Sequence, residues 1–137
     1  MGNKLNGYYN PNFSALVIGG LAPQLKYLDI SNTELKGNLD VSGCQNIEEV
    51  YACGSKLTSM SLPSYGVLKE LRLPATITSL VLSYQTSLTN SYFTIGSYDS
   101  DNELYSDASS INLNYISIEG MPQLDIYNLV KKSANGL

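Results

Sequence analysis

Two glutamates, Glu49 and Glu70, are the side chains in this sequence best suited by type to acid–base work. Set about 5 Å apart across a glycosidic bond, two such carboxyls make a retaining hydrolase, one acting as acid and one as nucleophile. No histidine occurs, which excludes Ser-His-acid, Cys-His and zinc-His chemistry within the chain. The cysteines, Cys44 and Cys53, fit no zinc or redox spacing and read as free thiols on adjacent turns of chain, with a disulfide as the alternative. Asp99, Asp101 and Glu103 place hard oxygens on alternate residues, a spacing that could hold calcium in a loop. That stretch lacks the glycine and distal glutamate of an EF-hand, and its plainer reading is a solvated acidic insertion. The other chemistry-bearing group is tyrosine, present 11 times in 137 residues.

Composition narrows the classes. The length suits one domain, and 43% apolar residues suffice for a core. The net charge is −4 with no basic run, which argues against a nucleic-acid partner. No apolar run approaches the roughly 20 residues of a membrane span, so membrane insertion is not expected. The first residues, "MGNKLNGYYNPNFSALVIGG", do not have the pattern of a secretory signal.

The elements that would position these groups follow from an unusual beat. The unit apolar-x-x-apolar-x-apolar occurs at Phe13-Leu16-Ile18, Leu25-Leu28-Ile30, Ile47-Val50-Ala52, Leu57-Met60-Leu62, Leu68-Leu71-Leu73, Ile77-Leu80-Leu82 and Leu113-Ile116-Ile118. Leu35-Leu39-Val41 and Leu88-Phe93-Ile95 are copies with insertions. Starts at 13, 25, 35, 47, 57, 68, 77 and 88 alternate longer and shorter gaps, so units taken in pairs repeat every 20–22 residues. The closing apolar-x-apolar of each unit has strand period, and the first apolar residue turns the corner. Turn formers such as "SNTE", "CGSK", "PSYG" and "SYQTS" lie between. Two short strands per coil make a flattened tube with two walls, whose coils stack in parallel about 4.8 Å apart. One coil buries too little to stand alone, so stacking must supply the rest.

The stretch "LKYLDISNTELKGNLDVSGCQNIEEVYACGSKLTSMSLPSYGVLKELRL" resembles leucine-rich repeats, nearest to the short Bacteroidetes type (BspA-like) of surface proteins and their phages. The resemblance covers about 13–95 and returns at 113–118. The asparagine usual after the strand is replaced by Thr33, Cys44, Ser55 and Tyr65, and the coils are too short for a helix-backed horseshoe. The expected fold is a mainly β, leucine-rich-repeat-like parallel β-solenoid of four to five coils. The resemblance implies a non-catalytic binding or structural module at a cell surface, extracellularly or in a virion.

Outward positions distinguish the walls. One wall, from the units at 25, 47, 68 and 88 and with 113 added, presents Tyr27, Asp29, Glu49, Tyr51, Glu70, Arg72, Tyr92, Thr94, Tyr115 and Ser117. The other presents Ala15, Val17, Asn38, Asp40, Ser59, Ser61, Ser79 and Val81. The tyrosine-rich wall is the expected binding face, since tyrosine gives contact area and a hydroxyl for little rotamer entropy. The plainer reading is that tyrosine favours strands. Glu49 and Glu70 would point the same way into water beside Arg72 and Lys69, so no enzyme and no cofactor is expected. A protein partner or neighbouring subunits lead, with a surface glycan as the alternative. Residues 96–112 read as an acidic insertion loop, 113–118 as the last strand, and 122–134 as a terminal helix. Leu137 resembles the start of another unit, which suggests a segment of a longer protein.

Overall fold

In the computed structural model, which describes residues 4–6, 23–82, 84–89, 92–99, 104–106, 113–121 and 123–124, the apolar-x-apolar triplets become short parallel strands. The strands in chain order are β1 (Lys4–Asn6), β2 (Tyr27–Asp29), β3 (Lys36–Asp40), β4 (Glu49–Tyr51), β5 (Lys56–Ser61), β6 (Glu70–Leu73), β7 (Ser79–Val81), β8 (Phe93–Ile95), β9 (Ser97–Asp99), β10 (Leu104–Ser106) and β11 (Tyr115–Ser117). Successive coils stack as a parallel β-solenoid of about three turns, mainly β and with almost no helix among the described residues. The first wall is a five-stranded sheet in the order β1-β2-β4-β6-β8. The second holds the parallel pairs β3–β5 and β7–β11. Thr78 N donates to Thr58 O at 2.9 Å, joining those two pairs.

Register puts like with like. Leu28 pairs with Val50, Val50 with Leu71, and Leu71 with Phe93, and all four are fully buried. Ile30, Ala52, Leu73 and Ile95 form the next inner row, and Leu39, Met60 and Leu80 face them from the second wall. Because side chains alternate across a strand, this register leaves the intervening residues of β2, β4 and β6 pointing away from the tube. The insertions are absorbed locally. The pairing of β3 shifts between Gly37 and Asn38, where Gly37 takes φ +77°. Before Phe93, Tyr92 N donates to Thr89 O at 3.1 Å, and the ladder resumes in step.

Corners stack as strictly as strands. Thr33 Oγ1 donates to Ile30 O at 2.8 Å, and Ser55 Oγ donates to Ala52 O at 2.7 Å one coil on. These buried hydroxyls close the turns. Just before them stand the left-handed residues Asn32 (φ 57°) and Gly54 (φ 78°). A methyl on Gly54 would strike the Asn32 carboxamide, so this corner requires glycine for both conformation and space.

Three expectations change. A strand precedes the expected array, because β1 adds to the first wall with Leu5 beside Leu28. The insertion is not a plain loop, since β9 and β10 pair antiparallel with Asp99 opposite Leu104. The unit at 113 belongs to the second wall, where Tyr115 pairs with Ser79 and Ser117 with Val81. About three turns are described. The unit at 13–18 and, apart from Gln123 and Leu124, the helix expected at 122–134 lie outside the described residues; Met121 and Leu124 are buried against the core.

Leu71→Ala, which empties a fully enclosed position between two rungs, is expected to lower unfolding free energy by about 2–5 kcal/mol in denaturant titration. Gly54→Ala should cost at least about 1 kcal/mol in the same measurement, because it adds a Cβ to a left-handed residue.

Candidate binding face

The outward residues of β2, β4 and β6 form two rows. Tyr27, Glu49 and Glu70 are ladder neighbours, as are Asp29, Tyr51 and Arg72. All six are half-buried by their neighbours along the rib. The Tyr27 and Tyr51 rings lie 5.4 Å apart, tilted by 46°. Like charges set side by side on a ladder repel, and each of the two glutamates has a neutralising or donating partner two residues on. Tyr51 Oη donates to Glu49 Oε1 at 2.7 Å, and Arg72 Nε donates to Glu70 Oε2 at 3.1 Å. At the rim, Lys69 Nζ reaches Glu48 Oε1 at 3.2 Å, the alternation of charge between successive coils. Tyr92 stands beyond Glu70, 54% exposed, above a shallow depression of ≈ 450 Å³ that Glu48, Glu49, Lys69, Glu70, Ser87 and Thr89 complete.

This setting holds the phenols protonated. Burial, then the bond to Glu49 and the nearby Glu70 carboxylate, push Tyr51 well above its ordinary value. Burial raises Tyr27 as well, followed by the charges of Asp29 and Glu49.

Not every expected residue joins the face. Tyr115, 57% exposed, lies on the opposite wall. Thr94 occupies an outward register position beside Arg72, yet it is fully buried and its Oγ1 has no hydrogen-bond partner among the described residues. For the calcium reading, Asp99 falls in β9, while Asp101 and Glu103 lie outside the described residues. Among the described residues no cluster of His, Cys, Asp or Glu could hold a metal, and no helix is long and apolar enough to cross a membrane. Cys44 and Cys53 are not joined in a disulfide, and Cys53 Sγ donates to Gly96 O at 3.4 Å. The second wall is polar and small where expected: Ser59 Oγ donates to Asn38 Oδ1 at 2.8 Å, and Asn38 Nδ2 to Ser61 Oγ at 3.2 Å.

A second aromatic feature sits at the corner that follows the second wall. Tyr65 (φ 53°) and Tyr84 (φ 64°) occupy the same left-handed turn position on successive coils, and Gly120 (φ 73°) occupies it on the next. Their rings are 4.8 Å apart and tilted by 31°. Tyr84 Oη donates to Glu119 Oε1 at 2.9 Å, and the Tyr84 ring fills the space a side chain on Gly120 would need. Behind them Gln85 is buried; its Nε2 donates to Pro63 O at 2.6 Å, and it occupies the room left by Gly66. Leu62, Pro63, Ser64, Tyr65, Val81, Tyr84 and Gln85 enclose a recess of ≈ 300 Å³. A left-handed conformation costs a non-glycine residue roughly 1–2 kcal/mol. The only sequence signal for this feature was the presence of tyrosine inside two turns, "PSYG" and "SYQT".

Compared with protein-family models, curated proteins and solved structures, the chain finds no significant match in any of the three.

Folding stability should fall as pH climbs through 10.0, the ordinary tyrosine value. A phenol whose folded pKa is raised keeps its proton after the unfolded chain has lost it, so its contribution is complete below that pH and disappears above it. Denaturant titrations across that range should show the slope, and Tyr51→Phe should flatten it.

Proposed function

We propose that the protein is a non-catalytic recognition or scaffold module that meets a protein partner, or a neighbouring subunit, through its first wall. The observation carrying this reading is the continuous outward rib of Tyr27, Asp29, Glu49, Tyr51, Glu70 and Arg72, held in register by three parallel strands. Its groups are already fixed by contacts with one another: tyrosine on tyrosine, hydroxyl on carboxylate, guanidinium on carboxylate. A partner therefore meets a surface that loses little side-chain entropy on binding, the condition under which aromatic and arginine anchors contribute most. Tyr92 and the depression beside it extend the same face toward the next rung.

The glutamates fit this reading better than hydrolysis. They lie side by side on one open wall, where Glu49 accepts from Tyr51 and Glu70 from Arg72. A retaining pair instead faces across a bond held in a cleft. We further read the array as a short leucine-rich repeat of the Bacteroidetes type, with a cell surface or a virion as its setting. The support is the recurring apolar spacing together with parallel stacking of coils.

The test is the Tyr27→Ala, Tyr51→Ala, Arg72→Ala variant, measured against a purified partner recovered by co-sedimentation. With the fold intact by circular dichroism, affinity should drop at least about a hundredfold, as removal of anchor residues costing about 2 kcal/mol each or more would produce. Undiminished binding by the folded triple variant rejects the face.

A further inference from the structure

The geometry points to a second binding site, distinct from the first wall: the recess at the Tyr65–Tyr84 corner takes a single neutral pyranose ring of a glycan. Two tyrosines at this corner carry a backbone cost that residues tolerant of the turn would avoid. Tyr65 and Tyr84 hold left-handed backbone conformations that favour glycine or asparagine, and Gly120, Gly54 and Asn32 occupy such turns elsewhere in the array. Burial does not compensate at Tyr65, which is 73% exposed. Strained residues that stability does not explain concentrate where a protein makes contacts.

The recess has the chemistry of a sugar subsite. A pyranose carries an apolar face of C–H groups and a rim of hydroxyls. The Tyr65 and Tyr84 rings pack on each other at 4.8 Å, and the outer face of the exposed Tyr65 ring offers the complementary surface, since the electron-rich face of a phenol attracts polarised C–H groups. Leu62, Pro63 and Val81 line the apolar side, and Ser64 and Gln85 supply polar groups. The Tyr84 ring is fixed in advance by its bond to Glu119 and by packing over Gly120. A volume of ≈ 300 Å³ lies at the small end of ligand pockets, suited to one ring. No lining residue is charged at neutral pH, which disfavours uronic acids and phosphates. A proline-rich peptide needs successive aromatic ridges along a groove, whereas here both rings occupy one spot.

Saturation-transfer NMR on the full chain decides it, with short neutral gluco-, manno-, galacto- and xylo-oligosaccharides, an oligouronate and a proline-rich peptide as probes. At least one neutral oligosaccharide should receive transfer at its ring protons and shift the Tyr65 and Tyr84 ring signals. Tyr65→Asn keeps a residue tolerant of the left-handed turn, so its melting temperature should not fall, while affinity weakens roughly tenfold or more. The first-wall triple variant should bind the sugar as wild type does, which separates this site from the proposed protein-binding face. Transfer to no neutral sugar, transfer only to the oligouronate or the peptide, or full affinity in folded Tyr65→Asn overturns the assignment. Should Tyr65→Asn not fold, the wild-type ring signals decide alone: sugar binding that leaves them unmoved overturns it.

Discussion

The whole structure depends on one constraint: each coil must return the chain to a point directly above its last pass. Only then do Leu28, Val50, Leu71 and Phe93 lie in one column, and only then do the backbone groups of one coil meet those of the next. The two requirements reinforce each other. A slip of one residue in any rung would turn its apolar side chains outward and bring polar ones into the tube. The corners enforce the return with short-range bonds such as Thr33 to Ile30 and Ser55 to Ala52. They also need residues that tolerate a left-handed backbone at the bend.

The outer faces inherit their order from the inner one. Because the columns are fixed, Tyr27 must sit beside Glu49, and Tyr51 beside Arg72. The neighbours then settle their own electrostatics: a phenol donates to one glutamate and a guanidinium to the other. The same inheritance works at the corner, where Tyr65 meets Tyr84 and Gly66 leaves room for Gln85. Both aromatic features thus arise from vertical stacking of residues roughly a coil apart in sequence, not from a loop folding over on itself.

Where the periodic signal was complete, the sequence was readable. Three apolar residues per unit located the rungs from Leu25 to Ile95 and assigned their faces, including the residues of β2, β4 and β6 that point outward. Where a unit offered fewer, it was missed. Lys4-Leu5-Asn6 has one apolar residue and still adds a strand. The wall carrying Tyr115 was misread for a different reason. Alternation between walls can be counted only while units follow one another, and the insertion after Ile95 breaks the count. The β9–β10 pair was hidden because Ser97-Tyr98-Asp99 and Leu104-Tyr105-Ser106 lack the apolar spacing that announces a rung. The tyrosine corner was hidden because residue type argues against the backbone it adopts: a tyrosine gives no warning of φ near +60°.

The β9–β10 pair carries one more implication. From β6 to β7 the chain crosses between walls in the five residues 74–78, whereas from β8 to β11 it takes residues 96–114, yet the ladder between β7 and β11 is regular. The array thus tolerates an excursion of foreign length at a wall crossing, provided both ends come back at the same height. Closing a longer excursion costs only slightly more, since the entropy grows with the logarithm of its length. Such crossings are natural ports through which a repeat protein can acquire whole appendages without retuning its interior.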